Sequence, residues 1–150
     1  MSDPLRMDID IAAFRKELAK LSDAVAEEHL VTAATAGALI VQNAAKERAP
    51  KRTRTLSRSI HTETLESSRD KAEVAVGTDV VYAGIQEYGG VITPKQAKML
   101  AWQDGGEWHF AHSVTIPPHP YLRPAMDENK EAIAKTIQAV LSQLIARANA

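Results

Sequence analysis

Four of the eight residues in 117–124 are proline (Pro117, Pro118, Pro120 and Pro124), a density that no regular helix or central strand tolerates. Such a stretch runs extended and stiff. Its last proline stands where a helix can begin, because Pro lacks an N–H and the first helical turn has no partner for one. Asp127 and Glu128 follow, favoured near the positive pole of a helix, and Arg147 suits the negative pole. Ile133, Ile137, Val140, Leu141, Leu144 and Ile145 form an apolar stripe at helical steps. The spacing predicts a last helix over 124–148.

Pro50 makes the other cut. It ends any helix arriving from the N-terminal side and disfavours helix at Ala49. Residues 11–48 read as helix: Phe14, Leu18, Leu21 and Val25 share one face, and Ala33, Ala36, Ile40 and Ala44 continue a small-residue face. Ser22-Asp23 either caps a second helix or lies inside one long helix. Gly37 costs about 1 kcal/mol against Ala there, and so marks a close approach by another element.

Between these cuts, residues 51–116 read as β with one short helix. Residues 60–67 and 72–76 are expected to pair as strands across the polar turn Ser67-Ser68-Arg69-Asp70. Residues 82–88 read as the short helix, stopped by Gly89-Gly90. Residues 99–103 and 107–116 flank Gln103-Asp104-Gly105-Gly106, a hairpin signal. Trp108, Phe110, Val114 and Ile116 share parity in the second strand. The expected fold class is α+β: a long N-terminal helical region, a small antiparallel sheet with a short helix, and a long C-terminal helix packed on the sheet. At 150 residues one domain suffices, spanning 1–150 with the first ten residues flexible.

Composition narrows function by exclusion. The chain has no Cys, which removes disulfides and thiolate metal sites and suits synthesis in the cytosol. A net charge of −1 supplies no global field for nucleic acid or membrane. Met1-Ser2-Asp3-Pro4 does not begin a signal peptide, and no uninterrupted apolar run reaches the roughly 18 residues of a membrane span.

Local clusters are weaker than their composition suggests. Lys46, Arg48, Lys51, Arg52, Arg54 and Arg58 put six cations in thirteen residues, enough to contact phosphates. No aromatic lies within the run to stack on bases, so a solvated loop or a subunit contact is preferred to direct nucleic-acid binding. His109, His112 and His119 lie within eleven residues, but strand positions three apart point to opposite faces, so no shared metal is expected. Asp79, Glu87 and Asp104 have no recognisable catalytic spacing. Ser57 and Ser59 near His61 lack the glycines of a nucleophile elbow, and neither Gly-Gly pair makes a phosphate loop. No enzyme activity and no cofactor are expected.

Three segments together resemble one family. Residues 49–60, Ala-Pro-Lys-Arg-Thr-Arg-Thr-Leu-Ser-Arg-Ser-Ile, are similar to the "Ala-Pro, then Thr-Gly-x-Leu, then Ser-Ile" signature of tailed-phage head–tail joining, or tail-completion (neck), proteins. Residues 82–90 look like that family's "Tyr-Ala-x-x-x-Glu-Tyr/Phe-Gly" segment, and residues 118–125 like its "Pro-x-Pro-Phe-Leu-Arg-Pro-Ala" lead-in to the final helix. The insertion at 92–102 and the Gly-Gly and proline elements also resemble phage virion-morphogenesis proteins. Arg54 stands where the family usually has Gly, the residue that takes a left-handed backbone without penalty.

The resemblance implies a structural virion protein at the head–tail junction or tail end, made in the host cytoplasm. It implies a ring of copies, with a hexamer as the expected size. The implied neighbours are a portal-side head-completion protein and a tail-tube or tail-terminator protein, with passing DNA as a further contact and no membrane. Candidate subunit-interface or DNA-contact residues are Lys51, Arg52, Arg54, Arg58, Tyr82, Glu87, Tyr88, Tyr121, Leu122 and Arg123. The competing reading is a DNA-binding accessory protein using residues 46–58.

Overall fold

A computed structural model describes residues 6–51 and 54–149. After a 3-10 turn at Ala12–Phe14, helix α1 is short, Arg15–Leu18, and the chain restarts at Ser22. The Ser22 hydroxyl accepts the Val25 N–H at 3.4 Å, so Ser22 caps a second helix, α2 (Asp23–Arg48), rather than lying inside one long helix. α2 ends where Ala49 turns extended ahead of Pro50.

Helix α6 (Lys130–Ala148) buries Ile133, Ile137, Leu141 and Ile145, four apart along one face. They meet Leu18, Ala26, Leu30 and Ala33 in the first apolar cluster. Burying each large side chain is worth about 1.5–3 kcal/mol. The small residues of α2 set the separation of the two helices. A Cβ built on Gly37 would fall 2.8 Å from Ile137 Cδ1, which accounts for a glycine in mid-helix. By length and hydropathy α2 could cross a membrane, a property that counting uninterrupted apolar runs misses. Here it is the central helix, with α6 on one side and a β-hairpin on another.

That hairpin is β1 (His61–Ser67) and β2 (Ala72–Gly77), antiparallel, with a bulge between Thr64 and Glu66 that leaves Leu65 exposed. Thr62 donates to Gln42 at 2.7 Å, and Ser67 donates to Glu27, tying β1 to α2. Helix α3 (Thr55–Ser59) precedes it and α4 (Ala83–Tyr88) follows. Next come β3 (Gly90–Ile92), β4 (Leu100–Asp104), β5 (Glu107–Ala111) and β6 (Val114–Ile116), then α5 (Leu122–Asp127).

The α+β architecture is as expected: a long N-terminal helix, small antiparallel sheets and a long C-terminal helix. Its details differ in four ways. The pairing divides into three two-stranded ladders, β1–β2, β3–β6 and β4–β5. The strand expected over 107–116 breaks at His112-Ser113, because β6 leaves its hairpin partner to pair with β3. Residues 55–59, expected within the β region, form α3. Its Ser57 hydroxyl donates to the Lys46 carbonyl at 2.9 Å and fastens it to α2. The last helix begins two residues early and breaks at Glu128-Asn129, where Asn129 Nδ2 donates to the Ala125 carbonyl at 2.7 Å.

Candidate functional site

Glu87 is 4% exposed, the buried charged residue of the described chain. Helix α4 aims its carboxylate at the start of α5. Oε2 accepts from Tyr121 N at 2.7 Å and Leu122 N at 2.9 Å, and Oε1 accepts from Arg123 N at 2.9 Å. Tyr121 is the N-cap of α5, and Leu122 and Arg123 are its first two residues, so these are donors that a helix cannot satisfy internally. Pro124, the third residue, brings no N–H at all. One carboxylate therefore answers the donors at this helix start. A buried carboxylate is tolerable there because several charge-assisted bonds compensate its lost hydration.

The same junction is fastened at three more points. His119 N donates to the Gln86 carbonyl at 2.7 Å. The Tyr121 hydroxyl donates to the Ala83 carbonyl at 3.3 Å. Gly89, at φ 70 and ψ −176, lets the chain pass beneath the proline segment: a Cβ there would fall 2.8 Å from the Ile116 carbonyl oxygen and 2.9 Å from Pro118 N. Tyr121 is 1% exposed and its ring fills the second apolar cluster with Ala49, Leu56, Ile60, Ala83 and Ala125. Burial first, then the neighbouring Glu87 charge and Tyr88, push the Tyr121 phenol up to about 12.

A pH dependence follows. The unfolded phenol titrates near 10, so the folded state holds this proton more tightly. The associated stability is complete below about pH 10 and is lost as pH rises through about 12, by roughly 2–3 kcal/mol. Tyr121→Phe is expected to remove that alkaline loss while costing about 1 kcal/mol at neutral pH for the missing hydroxyl bond. Urea midpoints of both proteins at pH 8 and pH 11 check it. An unchanged difference between the two proteins at the two pH values would contradict it.

The three sequence segments are thus one object. Ala49, Leu56 and Ile60 come from the first, Ala83 and Glu87 from the second, and Tyr121 and Ala125 from the third; all seven are buried around one point. Glu87 and Tyr121, taken from sequence as contact candidates, have their side chains inside the subunit. Leu122 is half-buried beside them, and Arg123 is exposed. Tyr82 and Tyr88 are 42% and 46% exposed at the two ends of α4.

The basic run is dispersed. Arg48 pairs with Glu128, while Lys51, Arg54 and Arg58 are exposed. Arg52 lies outside the described residues. Arg54 adopts the left-handed conformation (φ 58, ψ 6) and forms the N-cap of α3, so the tight turn survives with Arg in the glycine position. That backbone costs a non-glycine residue about 1 kcal/mol. Arg54→Gly is expected to raise stability by about 0.5–1 kcal/mol, read as a thermal midpoint about 2–4 °C higher. A lower midpoint would show that the Arg side chain makes a contact worth more than the strain.

His109 stacks on Trp102 with ring centroids 5.5 Å apart, and His112 Nδ1 lies 3.3 Å from the Lys98 carbonyl. Among the described residues, no three His, Asp or Glu side chains converge as metal ligands. Ser59 shares a hydrogen bond with Thr78, and His61 Nδ1 contacts the Ser59 carbonyl, so these groups are committed to local structure.

Sequence reasoning did not single out the hairpin β4–β5 as a surface. Its turn, Gly105-Gly106, has φ 59 and 89 as a tight hairpin requires, and both strands project with Trp102, Trp108 and Phe110 at 40%, 63% and 62% exposure. The signal available was Trp108 and Phe110 two apart on one strand. Alternation identifies a shared face without saying whether anything covers it.

No curated protein and no solved structure matches the chain. Residues 12–89, just over half of it, match the HK97-gp10-like family, described as "Bacteriophage HK97-gp10, putative tail-component". The matched region ends at Gly89, two residues after the glutamate that grips the proline segment, and it contains the first of the three segments joined above and all but the last residue of the second. The chain belongs to the HK97-gp10-like family of bacteriophage tail-component proteins.

Proposed function

We propose that this tail-component protein is a non-enzymatic subunit of the head–tail junction. It acts as a neck or tail-completion ring, with a hexamer as the expected assembly. Family membership carries the phage-structural part of this reading. The junction role is supported by the distribution of apolar surface. The buried charge, Glu87, is used internally, whereas Trp108, Phe110, Val81 and Val91 stand out at 63%, 62%, 101% and 60% exposure. Exposed apolar groups in this number mark association surfaces. A ring is built from heterologous contacts, one patch meeting a different patch on the next copy.

The neighbours this reading requires are a portal-side head-completion protein and a tail-tube or tail-terminator protein. The chain alone in dilute solution is expected to be a monomer, with the ring completed on a partner. A phage bearing a stop codon in this gene is expected to yield filled heads and separate tails, and added protein should join them. Normal tailed particles from that phage would overturn the reading.

Lys51, Arg54 and Arg58 favour one addition, contact with the DNA backbone, since all three are exposed and enter no ion pair among the described residues. Such contact would give a duplex affinity that falls steeply with salt and is lost on neutralising the arginines. No binding at low salt would remove DNA contact from the account.

A further inference from the structure

The chain from Gly90 to Pro120 has no buried residue. Strands β3 to β6 pack broadly on no helix of the body; β3–β6 forms a stalk and β4–β5 a projecting arm. A two-stranded hairpin alone is marginally stable in water, so the arm gains from a further strand. Its charge narrows what supplies one. Lys95 and Lys98 balance Asp104 and Glu107, which leaves no net field for nucleic acid or an anionic membrane. Those two acids also flank the turn, and burying them in lipid is costly. A protein strand is the remaining occupant.

The turn specifies which edge is open. Gly105-Gly106 makes a two-residue connection with φ 59 and 89, closed by the pair Asp104–Glu107. From such a closing pair, alternate residues bond across the hairpin. Glu107, His109 and Ala111 therefore turn their backbone groups toward β4, and Trp108 and Phe110 turn theirs outward. The residues with open backbone groups are thus the two exposed aromatics, stacked side by side with ring centroids 6.5 Å apart. An antiparallel copy of β5 centred on His109 uses both features together. It sets Trp108 against Phe110 of the other copy, twice, as bonded pairs, with His109 against His109 as the unbonded pair between them. A centre at Trp108 would set Phe110 opposite Gly106, and a centre at Phe110 would set Trp108 opposite His112, beyond the end of the strand. Charge agrees with the His109 centre. Each tip acid Glu107 then lies toward the base of the other arm, where exposed Lys98 and His112 sit together, His112 Nδ1 3.3 Å from the Lys98 carbonyl.

We propose that the β4–β5 arms of two copies join along β5 about a two-fold axis at His109. The product is a four-stranded sheet with Trp108 and Phe110 of both copies packed on one face. The contact is isologous, so it stops at two copies. It is separate from the ring contacts of the junction reading, and it covers the arm's aromatic rings before assembly. One pair of short strands is a small interface of the transient kind, which leaves the dilute chain monomeric.

The absence of cysteine permits a test in the full chain. His109→Cys places two sulfurs across the axis, at the Cα separation of about 4.5 Å of an unbonded pair, within disulfide reach. Glu107→Cys places them about 14 Å apart along the strands, beyond it. Oxidised at high protein concentration, His109→Cys is expected to give at least tenfold more covalent dimer than Glu107→Cys on a denaturing gel. Glu107 faces Ala111 of the other copy in this pairing. Mixing Glu107→Cys with a longer, tagged Ala111→Cys chain should therefore favour the mixed dimer over either self-dimer, and it leaves the Trp102–His109 stack untouched. The natural chain should sediment as one copy when dilute and approach the mass of two copies at about 1 mM. Equal yields from His109→Cys and Glu107→Cys, no preference for the mixed dimer, or a single-copy mass at every concentration would each overturn the pairing. None of these outcomes bears on the junction reading, which is tested on particles.

Discussion

Glu87→Ala is expected to destabilise the protein by about 3–5 kcal/mol. The substitution leaves the N–H groups of Tyr121, Leu122 and Arg123 without their acceptor, two of them at 2.9 Å and one at 2.7 Å. A buried donor left unanswered costs about 1–3 kcal/mol, and the three losses are not fully additive because the released turn can relax. For a domain this size the thermal midpoint should fall by roughly 10 °C. Glu87→Gln separates charge from size. It keeps one acceptor oxygen and turns an NH2 toward an N–H, so it should cost about 2–3 kcal/mol. Hydrogen exchange gives the local signature: the amides of Tyr121, Leu122 and Arg123 should be protected in the natural protein and exchange rapidly in either variant. A Glu87→Gln protein within 0.5 kcal/mol of the natural one, with those amides still protected, would show that the carboxylate is not the clamp.

Gly89→Ala should be comparably damaging, for a different reason. Its backbone, φ 70 with ψ −176, lies in a region open essentially to glycine, which costs other residues about 1–3 kcal/mol. The added methyl would also meet backbone on both sides, the Ile116 carbonyl oxygen at 2.8 Å and Pro118 N at 2.9 Å. Neither yields easily, because Ile116 is paired to Gly90 and Pro118 belongs to a stiff proline run. A total near 3–5 kcal/mol is expected. Gly84→Ala, five residues earlier in α4, should have the opposite sign. A Cβ at Gly84 meets nothing within 4 Å and replaces glycine in a helix, a gain of up to about 1 kcal/mol. Equal midpoints for the two variants by thermal denaturation would contradict this account of Gly89.

The two long helices and both local hairpins were legible in sequence because their signals are local. Apolar residues four apart gave α6, Pro50 ended α2, and Gly105-Gly106 gave the β4–β5 turn. Helix α3 was not legible. It is five residues long, rich in Ser and Thr, and starts from a left-handed Arg54, so it holds its shape through Leu56 burial and the Ser57 bond to α2. Pairing of β3 with β6 was hidden for a related reason: three-residue strands carry too little alternation to be recognised.

The site was legible only as separate pieces. Each segment could be recognised by pattern, and Arg54 stood out against a glycine position. That Glu87 caps a helix beginning 35 residues later depends on topology, which places the end of α4 beneath the start of α5. The prolines at 117–124 were readable as a stiff lead-in. Their position over Gly89 and their grip by Glu87 became visible only in the folded chain. Tyr121 is consequently an internal anchor, whereas Tyr82, Tyr88 and Arg123 remain exposed.

The most direct measurement is a density map of the neck region of the assembled phage particle. The account predicts a closed ring of copies of this chain between the portal side and the tail, each copy's Glu87–Tyr121 junction buried inside its own subunit. A neck built without this protein would contradict it.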